Sequence, residues 1–224
     1  MISSRNNQWL KDMRRLRTSK GRRRDPRLLL EGPHLLGDAL RADLELEVVL
    51  ATPAFLDSDV GILLLDELPR PPIEVDLALL DELADADSPR GLLAVARPPA
   101  RDIPARDTGT YVFADGLQDP GNLGALARVC EAAGVAGLFL SPGCVSARHP
   151  RALRGSAGSL LRLPHLTDAE PDAVRARLGD GATWISLAPR GGQGLYGHDA
   201  PPSLRILAVG AEGQGLSPAV AALA

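Results

Sequence analysis

Between residues 97 and 104 the chain reads Arg-Pro-Pro-Ala-Arg-Asp-Ile-Pro, three prolines in eight residues. Proline lacks an amide hydrogen and fixes φ, so neither a helix nor a sheet strand runs through such a stretch. Residues 98–107 are therefore expected to form a linker. It divides the 224 residues into 1–97 and 108–224, and each part must close a core of its own. The means to do so are present. Hydrophobic residues make up 45% and charged residues 24% of the chain, close to the average for a globular protein. Aromatics are only 3%, too few for a surface that stacks bases on many rings.

The first part alternates short apolar runs with amphipathic ones. In residues 7–17, Trp9, Met13 and Leu16 fall at helical spacing with basic residues around them, which predicts a helix. Lys20-Gly21-Arg22-Arg23-Arg24 interrupts that pattern. Strands are expected at 27–32, 46–51, 61–65, 72–75 and 92–96, and helices at 34–42, from Thr52-Pro53, and at 76–84. Ser88-Pro89-Arg90-Gly91 reads as a turn. Such alternation defines a small α/β domain.

The second part restarts with the strand 110–114, a turn-rich loop, and a helix over 123–133 that ends at Gly134. Apolar strands follow at 135–140, 183–187 and 204–209, with helices at 148–157 and 170–178 between them. A β-α-β series with apolar strands is a largely parallel, covered sheet.

Charge is distributed unevenly. Residues 1–30 hold ten Lys or Arg against two Asp, whereas the rest holds fifteen basic against twenty-six acidic residues, for a total of −3. A basic arm on an acidic body suits a polyanionic partner met through one end; the plainer alternative is a solvated, partly disordered tail. Cys130 and Cys144 are the only cysteines, and they lack metal or disulfide spacing, which fits a reducing cytosol. His34, His149, His165 and His198 are scattered and are read as ordinary surface or core residues. Lys11, Arg14, Arg15 and Arg17 break up the first apolar residues, so no signal peptide is expected, and no uncharged run approaches ~20 residues, so no membrane span is expected either.

Two loops carry the chemistry. Leu117-Gln118-Asp119-Pro120-Gly121-Asn122-Leu123-Gly124-Ala125-Leu126-Ala127-Arg128 joins a strand to a helix at the carboxyl end of a parallel strand, where open sheets bind ligands. Asn122 is expected to cap that helix. Its core face is read as Leu126, Val129, Cys130 and Ala133, with Gly124 and Ala125 leaving a shallow surface beside Arg128. An ordinary pair of Arg128 with Glu131 is the plainer role. The second loop, Val209-Gly210-Ala211-Glu212-Gly213-Gln214-Gly215-Leu216-Ser217-Pro218, has three glycines that let backbone approach a ligand, then an N-cap and Pro at N1. No phosphate-binding glycine fingerprint and no nucleophile elbow is present.

The runs DPGNLGALARVCEAAG and VGAEGQGLSP resemble the first and second signatures of the SpoU (TrmH) family of RNA 2′-O-ribose methyltransferases, in the SPOUT superfamily. Between them, residues 154–164 (RGSAGSLLRLP) are similar to the family's R-x-S-x-G-x-x-x-R-x-P stretch. Leu29-Leu30-Glu31-Gly32 and Pro89-Arg90-Gly91-Leu92-Leu93-Ala94-Val95 resemble the start and the closing strand of its N-terminal domain. The resemblance implies an α/β chain with a small RNA-binding domain, 1–97, and a SpoU methyltransferase domain, 108–224, whose parallel sheet carries a trefoil knot. It implies S-adenosylmethionine as cofactor, a homodimer in the cytoplasm, and structured RNA, ribosomal or transfer, as substrate. Arg128, Asn122 and Glu212 would be catalytic, and Val209, Gly210, Glu212, Gly215 and Leu216 would hold the cofactor. Lys20, Arg22, Arg23, Arg24, Arg154 and Ser156 would contact RNA.

The family's third signature, an Ile-Pro-Met strand with a Ser-Leu-Asn-Val-Ser loop, would follow Ser217-Pro218 and is not in the sequence, which ends at Ala224. The 224 residues are then expected to be a piece of a longer protein, or else a member that has lost methyl transfer; with the knot incomplete they are expected to hold cofactor poorly and to leave an apolar strand edge open. A sulfonium is already an activated methyl donor, so no metal is required. Arg128 would act as a fixed cation, since a guanidinium does not give up its proton near neutrality. Two competing readings are a non-catalytic RNA-binding member of the same family and an unrelated nucleotide-binding oxidoreductase.

Overall fold

The amino-terminal helix is set by its caps. The Asn7 side chain accepts the Trp9 N–H at 2.9 Å and opens α1 (Gln8–Arg17), which a computed structural model places within a description of residues 1–84, 91–187 and 203–224. Leu10, Met13 and Leu16 on α1 are fully buried, so the basic arm belongs to a folded core and is not a tail. Thr18 then caps a second helix by accepting the Gly21 N–H at 3.0 Å, and Lys20–Arg24 continues as α2 (Ser19–Arg24) where an interruption was expected. Gly21 is required there, because a Cβ would lie 1.8 Å from the Arg15 carbonyl oxygen.

Next come β1 (Leu28–Glu31), α3 (Pro33–Arg41), β2 (Glu45–Ala51), α4 (Pro53–Leu56), α5 (Asp59–Glu67), β3 (Ile73–Glu74), α6 (Leu77–Asp81) and β4 (Leu92–Arg97). The sheet order is β1-β4-β2-β3, with β4 antiparallel to β1 and β2, and β3 parallel to β2. Residues 61–65, expected as a strand, form the middle of α5. Ser58 accepts the Gly61 N–H at 3.1 Å and nucleates the helix, which a five-residue apolar run by itself does not reveal. The expected turn residues Ser88, Pro89 and Arg90, like His198, lie outside the described residues.

The linker is tied down at its second half. Arg177 Nε and Nη2 donate to the Ile103 carbonyl at 3.1 and 2.6 Å, and Ile103 itself is buried. Beyond it run β5 (Gly109–Asp115), α7 (Pro120–Ala132) and β6 (Gly137–Leu140). After α8 (Pro150–Gly155) and α9 (Ser159–Arg162) come β7 (His165–Leu166), α10 (Pro171–Leu178), β8 (Thr183–Ser186), β9 (Leu204–Gly210) and α11 (Pro218–Ala221). This sheet is wholly parallel in the order β7-β6-β5-β9-β8. β9 is paired on both sides, so the strand that leads into the second glycine loop is not an open edge. Tyr111, Phe113, Phe139, Ile206 and Ala208 fill the core of this half.

The chain forms two compact units. One comprises Met1–Ala100 with Ser146–Arg162, and the other Arg101–Val145 with Leu163–Ala224. Helices α8 and α9 thus belong with the first sheet. Arg154 Nη1 pairs with Glu31 Oε2 at 2.6 Å, and Arg162 reaches Asp38 at 3.4 Å. Among the described residues no helix is long and apolar enough to cross a membrane.

Candidate active site

The carboxyl ends of β5, β6 and β9 meet in the second unit. The register pairs Asp115, the last residue of β5, with Gly210, the last of β9. From those two points issue the two loops singled out in the sequence.

The first loop starts α7 by a different cap from the one expected. Asp119 Oδ1 accepts the Asn122 N–H at 2.8 Å, and Pro120 occupies the first helical turn, where its missing N–H costs nothing. Asn122 is thereby a residue of the first turn with an exposed side chain. It faces the second loop. Its Nδ2 donates to Glu212 Oε2 at 3.5 Å across 90 residues of chain. The two signatures are joined by this contact.

The face of α7 that packs inward is Leu123, Gly124, Ala127 and Cys130, while Val129 is 65% exposed and Ala133 is also exposed. Of the expected core face only Cys130 is fully buried, and the inward face is turned toward Leu123, Gly124 and Ala127. Burial pushes the Cys130 thiol up to about 11. Arg128 is exposed, and among the described residues no hydrogen bond or ion pair holds it, so the plain pairing with Glu131 is not formed. Exposed Ala125 lies three residues before Arg128 on the same face of the helix. Gly134 has φ +66° and ends the helix as expected.

The second loop is a closed turn. Ala211 N–H donates to the Gly215 carbonyl at 3.0 Å, and Gly215 N–H returns the bond at 2.9 Å. Gly210 makes this possible, since a Cβ there would lie 2.1 Å from the Gly215 carbonyl carbon. Gly213 and Gly215 hold φ of +82° and +71°, values that disfavour other residues. Val209, Gly210 and Leu216 are half-buried, and Glu212 and Gly215 are exposed. Ser217 caps α11, as expected, by accepting the Val220 N–H at 3.5 Å. Half-buried apolar groups beside accessible glycine backbone suit a flat heterocycle, and an exposed carboxylate suits a cationic ligand. The residues present fit S-adenosylmethionine.

The residues proposed for RNA divide. Lys20, Arg23 and Arg24 are exposed, with no hydrogen bond or ion pair among the described residues. Arg22 is only 6% exposed, and its guanidinium donates to the carbonyls of Leu16 and Arg17, so it is not available to a phosphate. Ser156 is fully buried and donates to the Leu153 carbonyl at 2.8 Å. Arg154 is committed to Glu31. Charge pointed to Arg22 and the family-like stretch to Arg154 and Ser156, but folding uses all three as internal ties. Sequence reasoning passed over Asp115, whose role depends on a partner 102 residues away.

The fold is an α/β one with a wholly parallel second sheet, and its family is shown by its relatives. Residues 109–224 match the SpoU rRNA Methylase family, and residues 7–94 match an MRM3-like substrate binding domain. The chain belongs to the SpoU rRNA methylase family. It is 32% identical to an uncharacterized tRNA/rRNA methyltransferase of Synechocystis, over 96% of this chain and 80% of that one. It is 26% identical to the 23S rRNA (guanosine(2553)-2′-O)-methyltransferase RlmP of Bacillus subtilis, over 98% and 85% of the two chains. The crystal structure of the SpoU methyltransferase AviRb from Streptomyces viridochromogenes, in complex with AdoMet, superposes with a TM-score of 0.85. It has 25% identity and covers 97% of this chain and 86% of that one.

Proposed function

We propose that this protein transfers a methyl group from S-adenosylmethionine to a ribose 2′-hydroxyl of structured ribosomal RNA. It does so in the cytosol, as the homodimer that the family resemblance implies. The observation that carries the reading is the Asn122–Glu212 contact. It brings the two glycine-rich signatures to one place at the carboxyl edge of a parallel sheet. A relative that matches over 98% of this chain is named as a 23S rRNA 2′-O-methyltransferase, which supports RNA as the substrate. Two free cysteines, one of them buried, suit a reducing compartment.

The cofactor supplies an activated methyl group when bound. Val209, Gly210, Gly215 and Leu216 would hold it through backbone and apolar contact. The chain's own task is then to present the hydroxyl in line and to stabilise the charge that grows on its oxygen. Arg128, exposed and without a partner among the described residues, is the cation for that oxygen or for the adjacent phosphate. Asn122 holds Glu212, and the pair orients the ribose. Lys20, Arg23 and Arg24 supply sequence-independent attraction for the RNA backbone.

The test is transfer of labelled methyl from S-adenosylmethionine to ribosomal RNA, followed by alkaline hydrolysis. A 2′-O-methyl ribose has no free hydroxyl to cleave its own strand, so the label must appear in alkali-resistant dinucleotides. Label on a base, or none at all, refutes the proposal. Arg128→Ala should lower the rate by a factor on the order of 10² with its melting temperature unchanged; unchanged turnover would remove Arg128 from the site.

A further inference from the structure

Asp115 is 8% exposed at the end of β5, in a region whose other buried residues are mostly apolar. A carboxylate in such a place is costly unless hydrogen bonds repay its lost hydration. Among the described residues no Lys or Arg pairs with it, and the donor it has is a backbone one, the Ser217 N–H at 2.7 Å. That is a short contact for an amide to a carboxylate, in the range of charge-assisted bonds.

The position gives this bond its meaning. Asp115 stands opposite Gly210 in the parallel register, so it lies where β9 gives way to the loop. Residues 211–215 are latched to one another by their own pair of hydrogen bonds. The loop is therefore one closed piece, joined to the rest of the unit at Gly210 and at its exit. Asp115 takes hold of that exit. The next two residues tie the same strand end to the chain that follows β6, since Gly116 N–H donates to Ser141 Oγ at 2.9 Å and Leu117 N–H to Cys144 Sγ at 3.2 Å. Gly116 itself, at φ +69°, brings the strand end to within 3.8 Å of the Ala211 methyl, measured from where its own Cβ would be.

We propose that Asp115 is a positioning residue, which sets the glycine loop 210–217 in its cofactor-receiving shape by holding the Ser217 amide and so keeps Glu212 within reach of Asn122. The assignment rests on the reading that residues 209–216 receive S-adenosylmethionine. It adds a residue outside the cofactor loop, acting as an acceptor and not as a ligand.

Four single variants of the full chain test it. Asp115→Ala removes the acceptor, and Asp115→Asn keeps an acceptor oxygen without the charge. Ser217→Pro removes the donor at a residue whose φ of −62° proline already satisfies, and Ser217→Ala controls for the missing hydroxyl cap. Two quantities are read: hydrogen exchange at the amides of residues 211–217 without ligand, and the calorimetric Kd for S-adenosylmethionine. Asp115→Ala and Ser217→Pro should each raise Kd by roughly ten-fold or more, the scale of one hydrogen bond to a charged group, and the double variant should be no worse than the poorer single one. Exchange at Ala211 and Gly215 should rise in both, as it should at Ser217 in Asp115→Ala. Asp115→Asn should recover most of the loss. Unchanged exchange in Asp115→Ala, an Asn variant as poor as Ala, or additive losses in the double variant would overturn the assignment. If Asp115→Ala fails to fold, the comparison of Ser217→Pro with Ser217→Ala decides by the same two readouts. Amide exchange judges Asp115 even if the 224 residues, without the third signature, hold cofactor too weakly for calorimetry.

Discussion

Arg27 is the most heavily engaged side chain of the first unit. Its guanidinium donates to Asp25, to Asp12 at 3.2 Å and to Glu47 at 3.0 Å, and Glu47 also accepts from Arg97 at 2.9 Å. The hydrogen bonds from Arg27 hold the Asp25 carboxyl well below the usual carboxylate range, and Arg27 is raised in turn by Asp25. A carboxyl depressed on folding stabilises the fold above its unfolded value near 4, and that contribution is lost as pH falls toward the folded value. Arg27→Met should therefore cost about 3 kcal/mol at pH 7, because it strands Asp25 and its neighbours without their main partner. The deficit should shrink steadily below about pH 4 as those carboxyls take up protons. Urea unfolding of both proteins from pH 7 to pH 3 measures this, and a deficit independent of pH would show that Arg27 acts by packing alone.

At the scale of elements, the second glycine loop depends on one absent side chain. Gly210→Ala would drive a Cβ against the Gly215 backbone, and backbone cannot turn aside as a flexible side chain can. The closed turn should open, cofactor affinity should fall by roughly ten-fold or more, and the melting temperature should change little, since the loop lies outside the core. Equal affinity in calorimetry would show that the turn is not the receiving shape. The parts of the fold that were legible in the sequence are those with strong local signals. Apolar strands at 27–32, 46–51, 110–114 and 204–209 were recognisable by composition, and Ser217-Pro218 by its capping chemistry. The misread parts lacked a local signal strong enough to decide. The run Gly61–Leu65 suits strand or helix equally, and only the hydroxyl of Ser58 tips it. Asn122 and Asp119 are both good caps, and the choice fell to the residue followed by proline. The burial of Arg22 and Ser156 was invisible for a different reason, because their partners are set by how short helices turn back on themselves.

For the whole molecule, the net charge of −3 conceals a basic face that survives folding only in part. Of the cluster at residues 20–24, Lys20, Arg23 and Arg24 stay exposed, while Arg22 turns inward. Substituting the three exposed residues by Gln should lower the steepness of salt dependence in RNA binding by roughly two to three units, near one for each phosphate that is no longer neutralised. Arg22→Gln should instead lower stability and leave the slope alone. Titrations of a ribosomal RNA fragment at several salt concentrations distinguish the two outcomes. An unchanged slope in the triple variant would leave these charges as ordinary solvated surface.

The passage of residues 146–162 into the first unit has a consequence for the order of events during synthesis. When the ribosome has released the first hundred residues, Glu31 is buried in prospect but Arg154 has not yet been made. The first unit cannot reach its final form until β5, α7 and β6, all of the second unit, have already emerged. The two halves divided by the proline-rich linker are thus not successive products of translation. The first unit waits for residues 146–162, and the second for the strands beyond residue 162.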